Sequence, residues 1–384
     1  MKIAVYHNQV GGGGAARVVE EWWKHAGKDH EVELFVPSTV DTGGFVDLEQ
    51  YAAKVHRQPI EQSESPLGRY RRAFGVPKYG REIAADIDAG GFDVVFANLS
   101  YVTQAPEILP YLQTPSLYYA PEPLRAVYDR SPFPEPKNPK SVAKKIFFGP
   151  YDARRKRFDR AAIKQATQVM THSQYTRGIL KKIYGVDAAV VLLGVDTETF
   201  RPTGTAREGF VLSVGGMHPL KGHQFIIEAL ASLPEPRPKL VLVGGRGDFG
   251  RVLEAYAREK DVDLEIRHNV PTTELVELYN RAGVSATAAY GEPFGLTPLE
   301  AMACGAPVVT VDEAGYQETV KDGETGLRVP REPQAFGAAL QRVLADPQLA
   351  ATLGQNGRTD VERNWQWSRT ATEIQRLLEA TAGR

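Results

Sequence analysis

Short apolar runs alternate with helical stretches along most of the chain. Each run holds four to seven residues rich in Val, Ile and Leu, without alternation of polar and apolar positions. Such runs are typical of strands buried on both faces of a parallel sheet. In the first half of the chain they begin at Ile3, Val32, Asp93, Ser116, Gln168 and Ala189. Segments with helical spacing, such as 17–25, lie between the runs, so the pattern predicts an α/β fold.

A polar segment with proline and glycine, residues 197–209, separates this series from a second one. The runs of the second series begin at Phe210, Lys239, Leu264, Val284, Ala306 and Thr325. Two such series predict two doubly wound, Rossmann-like domains that face each other across a cleft at the carboxyl ends of their strands. We expect these domains at residues 1–198 and 199–364. The amphipathic segment 365–384 predicts a helix that closes back toward the first domain.

Composition and charge narrow the class of protein. The 384 residues include 46 Lys and Arg against 47 Asp and Glu, which gives a net charge of −1. This balance excludes a basic protein that coats nucleic acid, and a hydrophobic share of 42% excludes a wholly disordered chain. The single cysteine, Cys304, cannot form an internal disulfide. Since the sequence shows no signal-peptide pattern and no run of about 20 apolar residues, we expect a cytoplasmic protein.

The string GEPFGLTPLEAMACGAPVV, residues 291–309, is the most specific in the chain. It follows an apolar run and opens a helical one, which places Glu292 in a loop and Glu300 about one turn into a helix. A diphosphate could bind at the first helical turn, where unsatisfied N–H groups and the positive end of the helix dipole coincide. The N–H groups expected there belong to Phe294, Gly295, Leu296 and Thr297.

The two glutamates of this string have a functional and an ordinary interpretation. Glu300 could accept hydrogen bonds from the two hydroxyls of a ribose, as acidic residues do in dinucleotide-binding folds. Alternatively, Glu292 and Glu300 are acidic residues that the dipole favours at a helix start.

Lys221 and two glycine segments are further candidates. Lys221 follows the apolar run at 210–216 and the glycines Gly215 and Gly216, where its ammonium could reach leaving-group oxygens. Its alternative role is that of a solvated residue at a helix start. Gly13 and Gly14 follow the first predicted strand and either let backbone approach a phosphate or sugar, or form a flexible turn.

Four motifs in order resemble the retaining glycosyltransferases of family four, which have the GT-B fold. EPFGLTPLEAMACGAPVV resembles that family's paired-glutamate signature, and SVGGMHPLKGHQFIIEAL, residues 213–230, its glycine turn, lysine and helix. LLGVDTETFRP at 192–202 resembles its entry to the interdomain linker, and GGGGAARVVEEW at 11–22 its N-terminal glycine loop. The segment from about 40 to 160 matches only weakly.

The resemblance implies an acceptor-binding first domain, a donor-binding second domain and transfer with retained anomeric configuration. It makes Glu292 and Lys221 the catalytic residues, Glu300 the ribose ligand and Val270 a wall of the base pocket. Gly216 stands where the family usually has an arginine. Arg246 or Arg17 could supply the missing cation, or neither does.

On the acceptor side, the loop at 118–129 holds Glu122 and Arg125 after a predicted strand. Many members of the family present a histidine in this segment, but this chain has none there. Glu122 either hydrogen-bonds the sugar or acceptor, or pairs with Arg125.

No metal site is expected. Two Asp-x-Asp pairs, at 86–88 and 261–263, precede strands instead of following them, and we interpret them as solvated turn residues. The eight histidines are scattered, without a spacing typical of metal ligands.

A basic and aromatic stretch at 137–160 holds nine Lys or Arg against two Asp. Residues 69–81 have the same character. Such a stretch could lie on an anionic membrane surface and meet lipid-linked acceptors, or it could be a solvated helix face.

The resemblance therefore implies a transferase of a mannose- or glucose-type hexose in cell-surface polysaccharide biosynthesis, and the residues give no reason to expect a metal. Its donor would be a GDP or UDP sugar, and its acceptor a hydroxyl of a glycan, lipid-linked or small molecule. One alternative is a nucleotide-sugar epimerase on the same scaffold. The other is a sugar-nucleotide binding protein without catalytic activity, which stays open because Gly216 stands where the family usually has an arginine.

Overall fold

The computed structural model describes residues 1–8, 14–37, 47–58, 65–128, 139–245 and 247–383. The chain forms two compact units. The first unit is Met1–Leu192 together with Trp367–Arg384, and the second unit is Leu193–Gln366.

The first unit contains a parallel sheet of seven strands in the order β3-β2-β1-β4-β5-β6-β7. The strands are β1 (Lys2–Asn8), β2 (Glu31–Pro37), β3 (Lys54–Gln58), β4 (Val94–Ser100), β5 (Ser116–Tyr119), β6 (Gln168–Thr171) and β7 (Ala189–Val190). The helices are α1 (Gly14–His25), α2 (Pro66–Ala89), α3 (Arg125–Tyr128), α4 (Pro139–Ala162) and α5 (Gln174–Tyr184). Because β1 lies between β2 and β4, the strand order reverses at the β1–β4 pair.

The second unit contains a parallel sheet of six strands in the order β10-β9-β8-β11-β12-β13. Its strands are β8 (Val211–Val214), β9 (Leu240–Gly244), β10 (Leu264–His268), β11 (Val284–Thr287), β12 (Val308–Val311) and β13 (Leu327–Val329). Its helices are α6 (His223–Ala231), α7 (Phe249–Glu259), α8 (Thr272–Arg281), α9 (Leu296–Ala303), α10 (Tyr316–Thr319), α11 (Pro333–Ala345) and α12 (Pro347–Asn364). The last helix of the chain, α13 (Trp367–Thr381), belongs to the first unit.

Local sequence signals set several helix ends. Ser65 precedes α2, and its Oγ accepts a hydrogen bond from the N–H of Gly68 at 3.1 Å. Ser173 caps α5 in the same way, and α5 ends at Gly185 with a φ of 74°, a conformation that glycine adopts without a steric penalty. These signals place the helices between the strands that the apolar runs predicted.

Burial explains why the strand runs do not alternate. Val5 of β1, Val95 of β4 and Leu212 of β8 are fully buried, because helices cover both faces of each sheet. On the first unit α13 packs against α1, where Trp22 Nε1 donates to Gln375 Oε1 at 3.2 Å. The predicted α/β class with two parallel, doubly wound sheets is confirmed.

One detail of the sequence interpretation is wrong. Asp86 and Asp88 lie in the last turn of α2, not in a turn between elements. The carboxylate of Asp88 accepts from the N–H of Thr114 at 2.9 Å, so it anchors the chain before β5 instead of standing free in solvent.

Candidate functional site

The second sheet reverses its strand order between β8 and β11, which pair in parallel. The chain proceeds from β8 outward through β9 and β10, and from β11 outward through β12 and β13. Loops that follow such adjacent strands diverge and leave a crevice at the carboxyl edge, where ligands of doubly wound folds bind. The loops after β8 and β11, together with the helix α9 that follows β11, carry most of the predicted site residues.

The loop after β8 ends in a tight turn that presents Lys221. His218 Nδ1 accepts a hydrogen bond from the N–H of Leu220 at 3.2 Å and caps this turn. Gly222 follows with a φ of 73°, and a Cβ there would lie 1.9 Å from the carbonyl oxygen of Ala288. Only glycine permits this close approach of the two loops. The N–H of Tyr290 completes the junction by donating to the Leu220 carbonyl at 2.8 Å.

Arg331, which sequence reasoning missed, fixes the loop after β11. Its guanidinium donates to the carbonyl oxygens of Ala288 at 2.7 Å and Ala289 at 3.0 Å, and pairs with Glu313 at 2.7 Å. It also lies over the ring of Tyr290, 3.9 Å from the centroid. Nothing in its local sequence marks this role, because its partners are backbone oxygens of a loop about 40 residues earlier.

Lys221 and Glu292 meet at this junction. Lys221 Nζ lies 3.0 Å from Glu292 Oε2, with 41% of the lysine side chain and 18% of the glutamate side chain exposed. An ammonium has three N–H donors, so this contact leaves others for a ligand. An ion pair this exposed contributes only about 0–1 kcal/mol to stability. The pair is therefore positioned without being needed to hold the fold.

The residue before α9 has no side chain that could cap the helix start. It is Gly295, with a φ of 105°. Two hydrogen bonds from the segment around α10 anchor this loop. The N–H of Gly315 donates to the Glu292 carbonyl at 2.9 Å, and Thr319 Oγ1 donates to the Phe294 carbonyl at 3.3 Å. The ring of Phe294 is buried against Trp365, with centroids 5.7 Å apart.

The first residues of α9 are Leu296 and Thr297, followed by Pro298, which has no N–H. The donors that the helix start offers therefore come from the residues before Pro298. They lie at the positive end of the helix dipole, which favours an anion.

Glu300 lies in the second turn of α9. Tyr279 of α8, which sequence reasoning missed, donates its hydroxyl to Glu300 Oε2 at 3.2 Å. Burial, together with the nearby Glu300 carboxylate, raises the pKa of Tyr279 well above its usual value. The phenol therefore stays protonated and orients the carboxylate.

The other predicted residues are more scattered. Val270 is half-buried in the loop after β10, and Gly216 is exposed, with room for a side chain, since a Cβ there would meet no described heavy atom within 4 Å. Gly14 is the exposed first residue of α1. Gly13 and Arg246 lie outside the described residues.

Glu122 and Arg125 form an ion pair in the first unit, with Glu122 Oε2 and Arg125 Nη1 3.7 Å apart. Gln104 Nε2 donates to the Glu122 carbonyl at 3.1 Å, which ties this loop to the one after β4.

The first unit has a buried carboxyl at its own point of reversal. Glu107 is fully buried and accepts hydrogen bonds from Tyr6 Oη at 2.8 Å, Asn8 Nδ2 at 2.7 Å and Ser100 Oγ at 2.7 Å. Burial raises the pKa of Glu107, while the three hydrogen bonds oppose that shift. No cation pairs with it among the described residues.

Within the described ranges, no three His, Cys, Asp or Glu side chains come close enough to hold a metal ion. None of the helices in these ranges combines the length and apolar character needed to traverse a bilayer.

Comparison with known proteins decides the family. The model described as Glycosyltransferase Family 4 matches residues 12–199, and the model described as Glycosyl transferases group 1 matches residues 196–360. The chain belongs to glycosyltransferase family 4. The membership predicted from four motifs is thus confirmed.

Curated relatives match this family 4 chain over part of their length. The D-inositol 3-phosphate glycosyltransferase of Streptomyces bingchenggensis is 32% identical over 235 residues, which cover 54% of this chain and 52% of the relative. The GDP-mannose-dependent alpha-(1-6)-phosphatidylinositol monomannoside mannosyltransferase of Mycolicibacterium smegmatis is 35% identical over 237 residues, covering 55% and 61%. The chain thus spans about half the length of the curated relatives it matches.

A solved structure matches nearly the whole chain. Sucrose-phosphate synthase from Thermosynechococcus elongatus has a TM-score of 0.79 and 24% identity, and the match covers 99% of this chain and 98% of that one. At this identity the likeness shows the fold, which is that of a GT-B glycosyltransferase.

Proposed function

We propose that the chain is a retaining glycosyltransferase that moves a hexose from a nucleotide diphosphate sugar to an acceptor hydroxyl without a metal ion. The observation that carries the proposal is the Lys221–Glu292 pair, 3.0 Å apart, beside an uncapped helix start at the point where the strand order reverses. Cation, carboxylate and amide donors there match the parts of a diphosphate sugar.

The leaving diphosphate would bind at the start of α9. The N–H groups of Gly295, Leu296 and Thr297 and the helix dipole would stabilise the negative charge that develops as the bond between C1 and the phosphate oxygen breaks. Lys221, with donors beyond its contact to Glu292, would stabilise the same charge. Preorganised donors of this kind cost no reorganisation at the moment of reaction.

Glu292 would hold hydroxyls of the donor sugar. Its carboxylate is positioned by Lys221 and by the backbone anchor at Gly315, so it can accept hydrogen bonds from a hexose without moving. Glu300, oriented by Tyr279, would bind the ribose, and Val270 would line the base pocket.

Retention needs no protein base in this scheme. The acceptor oxygen forms its bond to C1 on the face that the diphosphate leaves, and the acceptor proton passes to the leaving phosphate oxygen. We assign acceptor binding to the first unit, with Gly13, Gly14, Glu122 and Arg125 as candidate contacts. The diphosphate contact expected from Arg246 is also kept as a proposal.

The names of the relatives guide the choice of donor and acceptor. The mannosyltransferase relative is named as GDP-mannose-dependent. Its name refers to phosphatidylinositol, and that of the Streptomyces relative to inositol 3-phosphate. We therefore propose a GDP or UDP hexose as donor and a glycan or lipid-linked acceptor of cell-surface polysaccharide biosynthesis.

We also propose that the enzyme works in the cytoplasm at an anionic membrane surface, through residues 137–160. Ile146 and Phe147 of α4 are 73% and 53% exposed, and Phe74 of α2 is 61% exposed, amid many basic residues. Each basic residue near an anionic surface contributes about 1 kcal/mol to binding. Sedimentation with vesicles containing phosphatidylserine tests this: salt-sensitive binding is expected, and its absence at low salt would refute the membrane contact.

The test of function is a panel of GDP, UDP and ADP sugars in two assays. A true donor should raise the Tm by mass action. The enzyme should also hydrolyse it slowly or transfer its sugar, and NMR should show that the anomeric configuration of the sugar is unchanged. The activity should be the same with and without EDTA. A thermal shift without turnover would indicate a binding protein, and conversion to an epimeric sugar nucleotide would indicate an epimerase. A product with inverted anomeric configuration would refute the retaining mechanism. Loss of activity in EDTA would refute transfer without a metal ion.

A further inference from the structure

Arg331, in the segment that follows β13, connects two segments that support Glu292. Its Nη1 donates to the Ala288 carbonyl at 2.7 Å, and its Nη2 donates to the Ala289 carbonyl at 3.0 Å. On the other side, its Nε and Nη2 donate to the carboxylate of Glu313 at 3.0 Å and 2.7 Å. All three nitrogens of the guanidinium therefore donate within the second unit, and only 14% of the side chain is exposed.

The first of these segments leads directly to Glu292. Only Tyr290 and Gly291 lie between Ala289 and this glutamate, and the chain turns at Gly291 with a φ of 57°. The N–H of Ala289 donates to Tyr316 Oη at 3.3 Å, so the backbone of Ala289 is held through both its N–H and its carbonyl. Because the connection is so short, a shift of this backbone would move the Glu292 carboxylate as well.

The second segment holds Glu292 by its backbone. Glu313 lies two positions before Gly315. The N–H of Gly315 donates to the Glu292 carbonyl at 2.9 Å. A Cβ at Gly315 would lie 2.5 Å from Phe294 Cα, so this segment packs closely against the residues that follow Glu292. Arg331 thus bonds to both segments that place the glutamate.

The same guanidinium contacts the part of the site that carries Lys221. It lies 3.9 Å from the ring centroid of Tyr290 and 5.4 Å from that of Phe225, in the first turn of α6. Lys221 lies just before this helix, and the N–H of Tyr290 donates to the Leu220 carbonyl at 2.8 Å. A planar fork of N–H donors makes all these contacts, which a lysine with its single nitrogen cannot reproduce.

We propose that Arg331 is the positioning residue that sets the Glu292 carboxylate opposite the Lys221 ammonium, and that turnover depends on it. This inference rests on the proposed transfer reaction. Arg331 acts on that reaction only through the two side chains, by keeping Lys221 Nζ and Glu292 Oε2 3.0 Å apart. Side chains held in this way meet the donor sugar in the geometry that transfer requires.

Steady-state kinetics of Arg331→Lys, which keeps the charge but loses the planar fork, tests the role in turnover. Because a misplacement of about 1 Å can cost about a hundredfold in rate, kcat should fall about ten- to a hundredfold. The KM for the donor should change less than about threefold, since the variant leaves Glu300 and the start of α9 in place. A kcat like that of the wild type would overturn the proposal.

Arg237 provides the matched control in the same unit. It is 20% exposed, pairs with Glu235 at 2.9 Å, and donates to the carbonyl oxygens of Leu233 at 3.1 Å and Asp261 at 2.8 Å. It precedes β9, at the edge of the sheet opposite to the site. Arg237→Lys should therefore lower the Tm about as much as Arg331→Lys does and leave kcat unchanged. An equal loss of kcat in both variants would overturn the proposal.

A double-mutant cycle separates action through Glu292 from an independent effect. In the Glu292→Ala background there is no carboxylate left to position, so Arg331→Lys should lower kcat by less than about twofold more. A further loss as large as in the wild type would show that Arg331 acts independently of Glu292, and would overturn the proposal.

A measurement without turnover tests the positioning itself. Competitive acetylation with acetic anhydride, followed by mass spectrometry, compares the reactivity of Lys221 with that of Lys24, which is 39% exposed and lies 3.0 Å from a glutamate. A displaced Glu292 no longer stabilises the ammonium form of Lys221. Arg331→Lys should therefore raise the relative reactivity of Lys221 at least about threefold, and Arg237→Lys should leave it unchanged.

The labelling keeps this proposal separate from the proposed function. Unchanged reactivity of Lys221 in Arg331→Lys would overturn the positioning role whether or not the chain transfers a sugar. A wild type without transfer activity would refute the proposed function, while the labelling still decides whether Arg331 positions Glu292. Circular dichroism verifies the fold of each variant. Should Arg331→Lys not fold, Glu313→Gln, at the partner that is 40% exposed, replaces it in all measurements, with smaller effects of about two- to fivefold.

Discussion

Glu292 in the second unit and Glu107 in the first each lie beside the pair of strands at which the strand order of their sheet reverses. Glu107 is fully buried and is held by three neutral donors, whereas Glu292 is 18% exposed and faces a lysine that is 41% exposed. Topology thus brings a carboxyl group to the same place in both units. Its surroundings decide whether it holds the fold together or is available to a ligand.

This comparison predicts the largest effects on activity in the second unit. Lys221→Ala and Glu292→Gln should each lower turnover by about two to three orders of magnitude, because both groups would act on charge or geometry in the transition state. Their Tm should hardly change, since so exposed an ion pair contributes about 0–1 kcal/mol. Steady-state kinetics and thermal unfolding measure both effects.

Lys239 provides the control for that prediction. It pairs with Glu265 at 2.7 Å and is 42% exposed, close to the exposure of Lys221, but it precedes β9 at the opposite edge of the sheet. Lys239→Ala should leave turnover unchanged. If it lowers turnover as much as Lys221→Ala does, the loss reflects any missing surface ion pair and not the site.

The first unit should respond in stability. Glu107→Ala should lower the free energy of unfolding by roughly 3–5 kcal/mol, because Tyr6, Asn8 and Ser100 lose a buried acceptor and a cavity forms. Glu107→Gln, which keeps an acceptor oxygen, should cost about 1 kcal/mol. Urea unfolding measures both, and an Ala variant as stable as the Gln variant would contradict the structural role.

Two buried groups should give the units opposite responses to pH. Burial raises the pKa of Asp159 in the first unit to about 6 and lowers that of His223 in the second to about 4. Folded Asp159 holds its proton where the unfolded chain has lost it, so its contribution to stability falls as pH rises from about 4 to 6. Folded His223 stays neutral where the unfolded chain is protonated, so its contribution is lost as pH falls from about 6.5 to 4.

Single substitutions isolate these contributions. Between about pH 4.5 and 6, the unfolding free energy of Asp159→Asn relative to the wild type should rise by about 2 kcal/mol, and that of His223→Gln should fall by about 2 kcal/mol. Urea unfolding across this pH range measures the two differences. If both differences in unfolding free energy change in the same direction with pH, the two buried groups do not have opposite effects on stability.

The smallest effect is expected from adding a cation to the site. Gly216 has room for a side chain, so Gly216→Arg should lower the Kd of the donor by up to about fivefold, as one added charge-assisted contact would. Gly209, equally unobstructed but before β8, gives the control Gly209→Arg, which should leave the Kd unchanged. Titration with the donor measures both constants. Equal gains from both variants would mean that net charge, and not the turn after β8, determines donor affinity.

The sequence predicted the fold because strands buried on both faces must be apolar along their whole length, and that pattern is local. Glu292 and Glu300 could be placed on one loop and helix for the same reason, since eight positions separate them in the chain. The meeting of Lys221 with Glu292 is different, because they are 71 positions apart in the chain and only the adjacency of β8 and β11 joins their loops.

The residues that sequence reasoning missed are those that act through distant partners. Arg331 donates hydrogen bonds to backbone oxygens of a loop about 40 residues earlier, and Tyr279 orients Glu300 from another helix. Glu107 accepts hydrogen bonds from side chains on two neighbouring strands. A single arginine, tyrosine or glutamate has no local pattern that reveals such a contact. The sequence by itself indicated every strand of the two sheets except the polar β3, and which short motifs could bind a diphosphate. Only the tertiary structure decided which polar side chains face each other and how much water reaches them, because strand order and burial are properties of the whole packed chain.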